Sequence, residues 1–156
     1  TERLPTATLT EPPVVPSATP EPSIIPSATP QLDGSVLLIY DNNSIVLLNQ
    51  SDQAVDAGGL NFIQPAQNLS YDSVDWANGS EVIYSLPAGG CVQLWQLDLP
   101  EIPPPENCAS RYAWRAVSPM YWFWISPQAN AVFEVWRDDE LLATCVISAG
   151  ACSFTP

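Results

Sequence analysis

Apolar residues after Asp33-Gly34 come in short runs that alternate with turn-forming residues. VLLIY (36–40) and SIVLLNQ (44–50) flank Asp41-Asn42-Asn43, whose residues tolerate a positive φ, so this stretch predicts a β-hairpin. No capped run places apolar residues at helical spacing. The pattern therefore predicts an all-β body.

Three further stretches show the same alternation of apolar runs and turn residues. AVDAGGLNFIQ (54–64) predicts a glycine turn and a strand, and EVIYSLPAGGCVQLWQL (81–97) predicts a strand, a turn and a second strand. AVFEVWRDDELLATCVISAGACSF (131–154) predicts three strands, with turns at Asp138-Asp139 and at 148–150. Strands at this regular spacing predict a β-sandwich with a buried inner face.

The N-terminal segment has a different composition, rich in Pro, Ser, Thr and Ala. A ten-residue unit occurs as EPPVVPSATP (11–20) and again as EPSIIPSATP (21–30). TERLPTATLT (1–10) resembles a third, diverged copy. Proline at this frequency blocks helix and favours polyproline II, which rises ~3.1 Å per residue. We therefore divide the chain into an extended arm, 1–31, and a folded body, 32–156.

Paired β-branched residues interrupt each full repeat, at Val14-Val15 and at Ile24-Ile25. A pure spacer gains nothing from such pairs, so we predict that they dock against another surface, such as a sheet edge of a neighbouring copy. Ser and Thr in this setting are also typical of O-glycosylated stalks. The O-glycosylation candidates are Ser17, Thr19, Ser27 and Thr29.

Charge excludes several classes of partner. The chain has 17 acidic residues, four arginines, no lysine and no histidine, for a net charge of -13. This charge opposes nucleic acid and anionic lipid, because affinity for either depends on Lys and Arg. No window approaches the ~20 apolar residues that span a bilayer. The start at Thr1, without Met or a basic leader, indicates a processed or trimmed N-terminus.

The cysteines indicate an oxidising compartment, and hence an extracellular or cell-surface protein. Their spacing matches no zinc pattern, and their even number predicts two disulfides. Three connectivities are open. We favour Cys91 with Cys108 and Cys145 with Cys152, because each pair closes a short segment rich in turn residues.

Catalytic chemistry is limited by the absence of histidine, which excludes Ser-His-Asp and Cys-His arrangements. Paired carboxylates remain a candidate, but Asp138-Asp139 fits a hairpin turn better than an acid/base pair. We therefore predict no enzyme and no obligatory cofactor. Calcium is a weaker candidate on two loops, although neither follows an EF-hand pattern. The calcium candidates are Asp41, Asn42, Asn43 and Ser44 on one loop, and Asp72, Asp75 and Asn78 on the other.

RYAWRAVSPMYWFWIS (111–126) concentrates aromatic residues beside two arginines. In a strand, Tyr121 and Phe123 would face one way and Trp122 and Trp124 the other, so one pair would need cover outside the core. Exposed aromatic residues with arginine suit protein interfaces or flat sugar-binding platforms, and the alternative is that an inserted loop covers them. The candidate surface is Arg111, Trp114, Arg115, Tyr121, Trp122 and Trp124.

Four N-x-S/T sequons add candidate N-glycosylation sites, which would mark exposed loops in a host with that modification. They are Asn42, Asn49, Asn68 and Asn78.

Part of the body resembles the lamin tail domain family. SIVLLNQSDQAVDAGGLNFI is similar to that family's strand ending in Leu-x-Asn, its Val-Asp core and its glycine. SLPAGGCVQLW resembles the family's Leu-x-Pro-Gly-Gly turn, and FEVWRDDELLATCVI resembles its late hairpin. The similarity spans about residues 35–147, with an unmatched insertion near 98–130. Val46, where the family often has Glu, and the cysteines depart from the pattern.

The resemblance implies an immunoglobulin-like sandwich. It also implies an accessory module of an exported bacterial protein, with no catalytic residues. Together with the arm, it predicts a non-enzymatic structural protein that assembles with copies of itself into a surface filament. The alternative is a stalk-displayed module that binds glycans or cell-surface proteins, and a carboxylate hydrolase is a third, weaker option.

Overall fold

The computed structural model describes residues 32–156, which form two stacked β-sheets. The predictions on the arm, including Val14, Val15, Ile24, Ile25 and the hydroxyl glycosylation candidates, lie outside the described residues. A short helix, α1 (Ser73–Trp76), and four 3-10 turns connect the strands. The strands are β1 (Val36–Tyr40), β2 (Ser44–Asn49), β3 (Leu60–Gln64), β4 (Leu69–Asp72), β5 (Gly90–Gln96), β6 (Ser110–Val117), β7 (Val132–Arg137), β8 (Glu140–Val146) and β9 (Ala151–Phe154).

The larger sheet has the order β6-β5-β2-β1-β9 and the smaller sheet has the order β4-β3-β7-β8. The predicted hairpin is confirmed, because β1 and β2 pair antiparallel with Val36 opposite Asn49. The strands predicted within 131–154 are confirmed as β7, β8 and β9. All strand pairs in the described residues are antiparallel except β5 with β6, which run parallel.

A cluster of aromatic rings fills the space between the sheets. Phe123 lies at its centre, stacked on Phe62 at 5.1 Å between ring centroids and edge-on to Phe133 at 5.4 Å. The Gln64 side-chain amide at the end of β3 donates to the carbonyl oxygens of Phe123 and Ile125, both at 2.9 Å. These two bonds hold the non-strand segment that carries Phe123 against the smaller sheet.

Two disulfides have the favoured connectivity. Cys145 on β8 bonds Cys152 on β9, with 5.5 Å between their Cα atoms, and so joins an edge of the smaller sheet to an edge of the larger one. Cys91 on β5 bonds Cys108, with 5.7 Å between Cα atoms, and fixes the loop that leads into β6. Each bridge restricts the unfolded chain and so stabilises the sandwich.

The parallel pairing of β5 and β6 requires the chain to cross back over the sheet between them. The loop 97–109 makes this crossing on the outer face of the larger sheet, where Pro103 accepts a hydrogen bond from the Gln93 amide at 3.4 Å. A second apolar cluster lies on this face. Its buried members are Leu37, Val46, Leu48, Cys91 and Cys108. The larger sheet is therefore covered on both faces.

Two secondary-structure predictions are wrong. EVIYS forms a 3-10 turn, Glu81–Ser85, instead of a strand, and the Ser80 hydroxyl caps its start by accepting from the amide of Val82. The aromatic run at 121–124 is not a strand, because β6 ends at Val117 and Pro119 opens another 3-10 turn. Phe123 and Trp124 are consecutive and both buried, so the predicted alternation does not hold.

None of the helices between residues 32 and 156 has the length and apolar character of a membrane-spanning segment.

The Phe123 cluster predicts a large loss of stability on truncation. We expect Phe123→Ala to lower the free energy of unfolding by about 3–5 kcal/mol, because it leaves a cavity among the five rings that pack against it. Urea unfolding followed by tryptophan fluorescence measures the change. Leu141→Ala, at a side chain 45% exposed on β8, is the control and should cost less than about 1 kcal/mol. Equal losses in the two variants would contradict the central role of Phe123.

Candidate functional site at the edge strand β6

Strand β6 forms one edge of the larger sheet and is the longest strand of the sandwich, with eight residues. Among the described strands it pairs only with β5. The Val117 carbonyl points toward β5, because it accepts from the amide of Leu97 at 2.9 Å. Backbone groups alternate in direction along a strand, so Trp114 and Ala116 direct theirs away from the sheet. An edge of this kind can pair with another extended chain.

Two aromatic rings project from this edge. Tyr112 and Trp114 are 45% and 49% exposed. The Tyr112 ring lies over Gly90, where an added Cβ would come within 2.7 Å of the ring, so this approach requires glycine. Large exposed rings at an edge strand are typical of binding surfaces.

Arg111 holds Trp114 in place. Its guanidinium lies over the Trp114 ring, 4.7 Å from the centroid, and 5.6 Å from that of Trp95. The same group donates to the Gln93 side-chain oxygen at 3.0 Å and to the Ile102 carbonyl at 2.8 Å, and it forms an ion pair with Glu101. Because its donors are used within the chain, Arg111 positions the aromatic ring and is not free for a ligand.

Arg115 is the more accessible arginine of β6. It is exposed, and its guanidinium donates to the carbonyl of Asp75 at 3.2 Å. It also lies near Tyr71, where burial raises the pKa of the phenol to about 12 while the Arg115 charge opposes that rise. The guanidinium has five N–H donors, so these contacts leave donors available and Arg115 can pair with an acidic partner.

A cleft of about 370 Å³ runs beside the outer edge of β6. One wall is the turn after α1, where Asn78 and Gly79 have φ angles of 53° and 76°. The other wall is the strand itself. The lining residues are Ala77, Asn78, Ser80, Tyr112, Ala113 and Trp114.

Exposed apolar side chains continue past the C-terminal end of β6. Leu97 is 62% exposed and Met120 is 64% exposed, beside a shallow depression of about 290 Å³ that Leu97, Pro119 and Trp122 line. Nine large hydrophobic side chains are exposed in residues 32–156, and five of them lie on β6 or flank its end. We call the set of exposed side chains Leu97, Tyr112, Trp114, Arg115 and Met120, which lie on β6 or beside its C-terminal end, the β6 surface.

The structure brings together only part of the predicted aromatic surface. Tyr121 is half-exposed and packs edge-on against Tyr71, with centroids 5.5 Å apart. The Trp122 indole donates to the Val117 carbonyl at 2.9 Å and is half-buried. Trp124 is 1% exposed, so its assignment to a binding surface is wrong. It is buried because its segment turns into the core after β6 ends.

Tyr112, Leu97 and Met120 were missed by sequence reasoning. Tyr112 stands directly beside Arg111, so its position in the aromatic segment was a usable signal. Leu97 and Met120 had no such signal, because isolated apolar residues are more often buried than exposed.

Two of the aspartates considered for calcium accept hydrogen bonds within the fold. Asp41 accepts from the amides of Asn43 and Ser44, both at 2.8 Å, and so closes the β1–β2 turn. Asp72 accepts from the Asn61 side-chain amide across the β3–β4 pair. In the part of the chain that the structure describes, no three Asp, Glu, Cys or His side chains cluster as a metal site would require.

Three sequons lie on exposed turns and one does not. Asn42, Asn68 and Asn78 are exposed. Asn49 is fully buried, and its amide donates to the carbonyl oxygens of Gln53 at 2.7 Å and Leu86 at 2.9 Å. The prediction of Asn49 as a glycosylation site is therefore corrected for the folded chain, because its nitrogen is enclosed and committed.

No protein-family model, curated protein or solved structure matches this chain. The resemblance to the lamin tail domain family therefore stays a prediction. The fold itself supports the broader statement that the chain is mostly β and forms a two-sheet sandwich.

Two buried phenols predict loss of stability at alkaline pH. Burial raises the pKa of Tyr40 and of Tyr71 from 10.0 to about 12. Their stabilising contribution is complete below pH 10 and is lost as the pH rises toward 12, because the unfolded chain releases these protons first. Urea unfolding at a series of pH values measures the slope. We expect a shallower slope in the Tyr40→Phe/Tyr71→Phe double variant than in the unmodified chain. Equal slopes in the two proteins would contradict this assignment.

Proposed function

We propose that this chain is a non-enzymatic extracellular protein whose β-sandwich binds an extended polypeptide segment along the β6 surface. The observation that carries the proposal is the composition of this edge. The edge combines outward backbone groups at Trp114 and Ala116, two half-exposed rings that line a cleft, and the accessible Arg115.

Each part of the β6 surface suits an extended peptide. Outward amide and carbonyl groups of an edge strand form hydrogen bonds with an added chain. Tyr112 and Trp114 offer flat apolar faces, which receive proline-rich segments as well as apolar side chains. Arg115 adds a cation that favours an acidic segment.

An extracellular location fits the covalent structure. Cys91–Cys108 and Cys145–Cys152 are both bonded, and such bonds persist in oxidising compartments. The exposed amides of Asn42, Asn68 and Asn78 are available to N-glycosylation in a host that performs it.

Both functions expected from the sequence use a surface of this kind. In a filament, the bound segment comes from another copy, whereas in a stalk-displayed module it comes from a cell-surface protein. Carbohydrate binding is the second candidate, because Tyr112 and Trp114 line the same cleft and sugar rings stack on such faces. The unpaired strand edge favours a polypeptide over a sugar.

The proposal predicts that Trp114 dominates binding. The probes are a panel of soluble peptides, some proline-rich and acidic and others strand-forming, together with a panel of glycans, and titration calorimetry measures their affinity. We expect peptides to bind and Trp114→Ala to weaken them at least tenfold, as loss of a central aromatic contact does. Tyr84→Ala, which removes an exposed ring outside the β6 surface, should leave the affinity unchanged.

Binding of glycans alone, or peptide affinities that do not respond to Trp114→Ala, would count against this function. Circular dichroism and the urea midpoint establish that each variant is folded.

A further inference from the structure

We propose that the segment bound along the β6 surface is the arm of a second copy of this chain, specifically the distal repeat 11–20. Each body would then accept the arm of one neighbour and donate its own arm to the next. This inference rests on the proposed function and names its partner.

Charge complementarity is the first argument. The body is strongly acidic, yet two of the three arginines in the described residues, Arg111 and Arg115, lie on β6. Arg115 is the one with free donors. Each full repeat of the arm begins with a glutamate, Glu11 or Glu21, that is followed directly by proline. A repeat therefore brings one carboxylate to the one strand of the body where cations are concentrated.

Length is the second argument. A ten-residue repeat extends ~31 Å in polyproline II, and the eight-residue strand β6 extends ~26 Å. One repeat is thus long enough to cover β6 from the cleft at Tyr112 to its C-terminal end. Its apolar pair, Val14-Val15, falls near the middle of the unit, where the exposed Trp114 ring can cover it.

The prolines of the arm are compatible with this edge. Proline lacks an amide hydrogen but keeps its carbonyl, so an extended arm can still accept hydrogen bonds from the outward amides of Trp114 and Ala116. Proline rings also pack against tyrosine and tryptophan faces in aromatic-lined grooves. A proline-rich segment therefore uses both features of the β6 surface, whereas an ordinary strand would use the edge alone.

The position of Leu32 favours a second copy over the chain's own arm. Its carbonyl accepts from the Gln50 side chain at 3.0 Å, which places the start of the body beside the end of β2. Hydrogen bonds from Gly89 to Asn49 and from Ala109 to Gly89 continue this row to the start of β6. Strand spacing makes the distance from the start of β1 to β6 ~14 Å.

The distal repeat is separated from the body by a proline-rich spacer. It ends at Pro20, twelve residues before Leu32, which would correspond to ~37 Å in polyproline II. Proline-rich chains are semi-rigid over several residues, so such a spacer favours contact of 11–20 with a second copy over contact with its own body. A donated arm is a heterologous contact, and its repetition without closure produces a filament.

A complementation experiment with full-length chains tests the proposal. The acceptor variant is Trp114→Ala, with Arg115→Glu as a second acceptor variant that leaves the aromatic packing intact. The donor variant is Val14→Asp/Val15→Asp. Its matched control is Ile24→Asp/Ile25→Asp, which makes the same chemical change in the proximal repeat. Analytical ultracentrifugation over a range of concentrations and electron microscopy measure assembly.

We expect the unmodified chain to form concentration-dependent polymers, and the acceptor and donor variants each to remain monomeric. Mixing the two should restore dimers but not longer species, because the intact arm of one variant meets the intact β6 surface of the other. The proximal control should assemble like the unmodified chain.

Several outcomes would overturn the inference. The unmodified chain could remain monomeric at every concentration. Both acceptor variants could still assemble, or a mixture of acceptor and donor variants could form no dimers. If only the proximal control failed to assemble, the contact would lie in repeat 21–30 and the proposed repeat 11–20 would be incorrect. If the peptide panel still shows Trp114-dependent binding, the proposed function stands and only the choice of partner fails.

Discussion

The parallel pairing of β5 with β6 is the constraint on which the other features of this molecule depend. Parallel neighbours cannot be joined by a tight turn, so the chain crosses the outer face of the larger sheet before β6 begins. That crossing buries the second apolar cluster, supplies the Ile102 carbonyl and the Glu101 carboxylate that hold Arg111, and brings Cys108 to Cys91. β6 itself is an edge strand of this sheet.

The aromatic segment after β6 divides its rings between core and surface. Phe123 and Trp124 enter the space between the sheets because the Gln64 amide fixes their backbone and the rings of Phe62 and Phe133 surround them. Met120 and Tyr121 precede that turn and stay partly in solvent. The segment 120–124 thus stabilises the sandwich through its buried rings and contributes Met120 to the β6 surface.

The candidate site could be predicted only in part. Trp114 and Arg115 were identified because aromatic and cationic residues are concentrated in their segment. Trp124 was misassigned, and Leu97 and Met120 were missed, because exposure depends on which elements pack above a residue. The role of Arg111 was also hidden. Its partners Gln93 and Ile102 are 18 and nine residues away in the chain, and only the crossover brings them together.

The sequence by itself determined the β class, the β1–β2 hairpin and the three final strands, and it favoured the pairing of the cysteines that the structure shows. Those features rest on local signals, namely alternation, turn residues and short covalent loops, which act over a few residues. Only the tertiary structure decided the sheet order, the parallel β6, the burial of Trp124 and Asn49, and the turn at Glu81–Ser85. These depend on contacts between residues far apart in the chain, and the burial and hydrogen bonds gained there outweigh local preference.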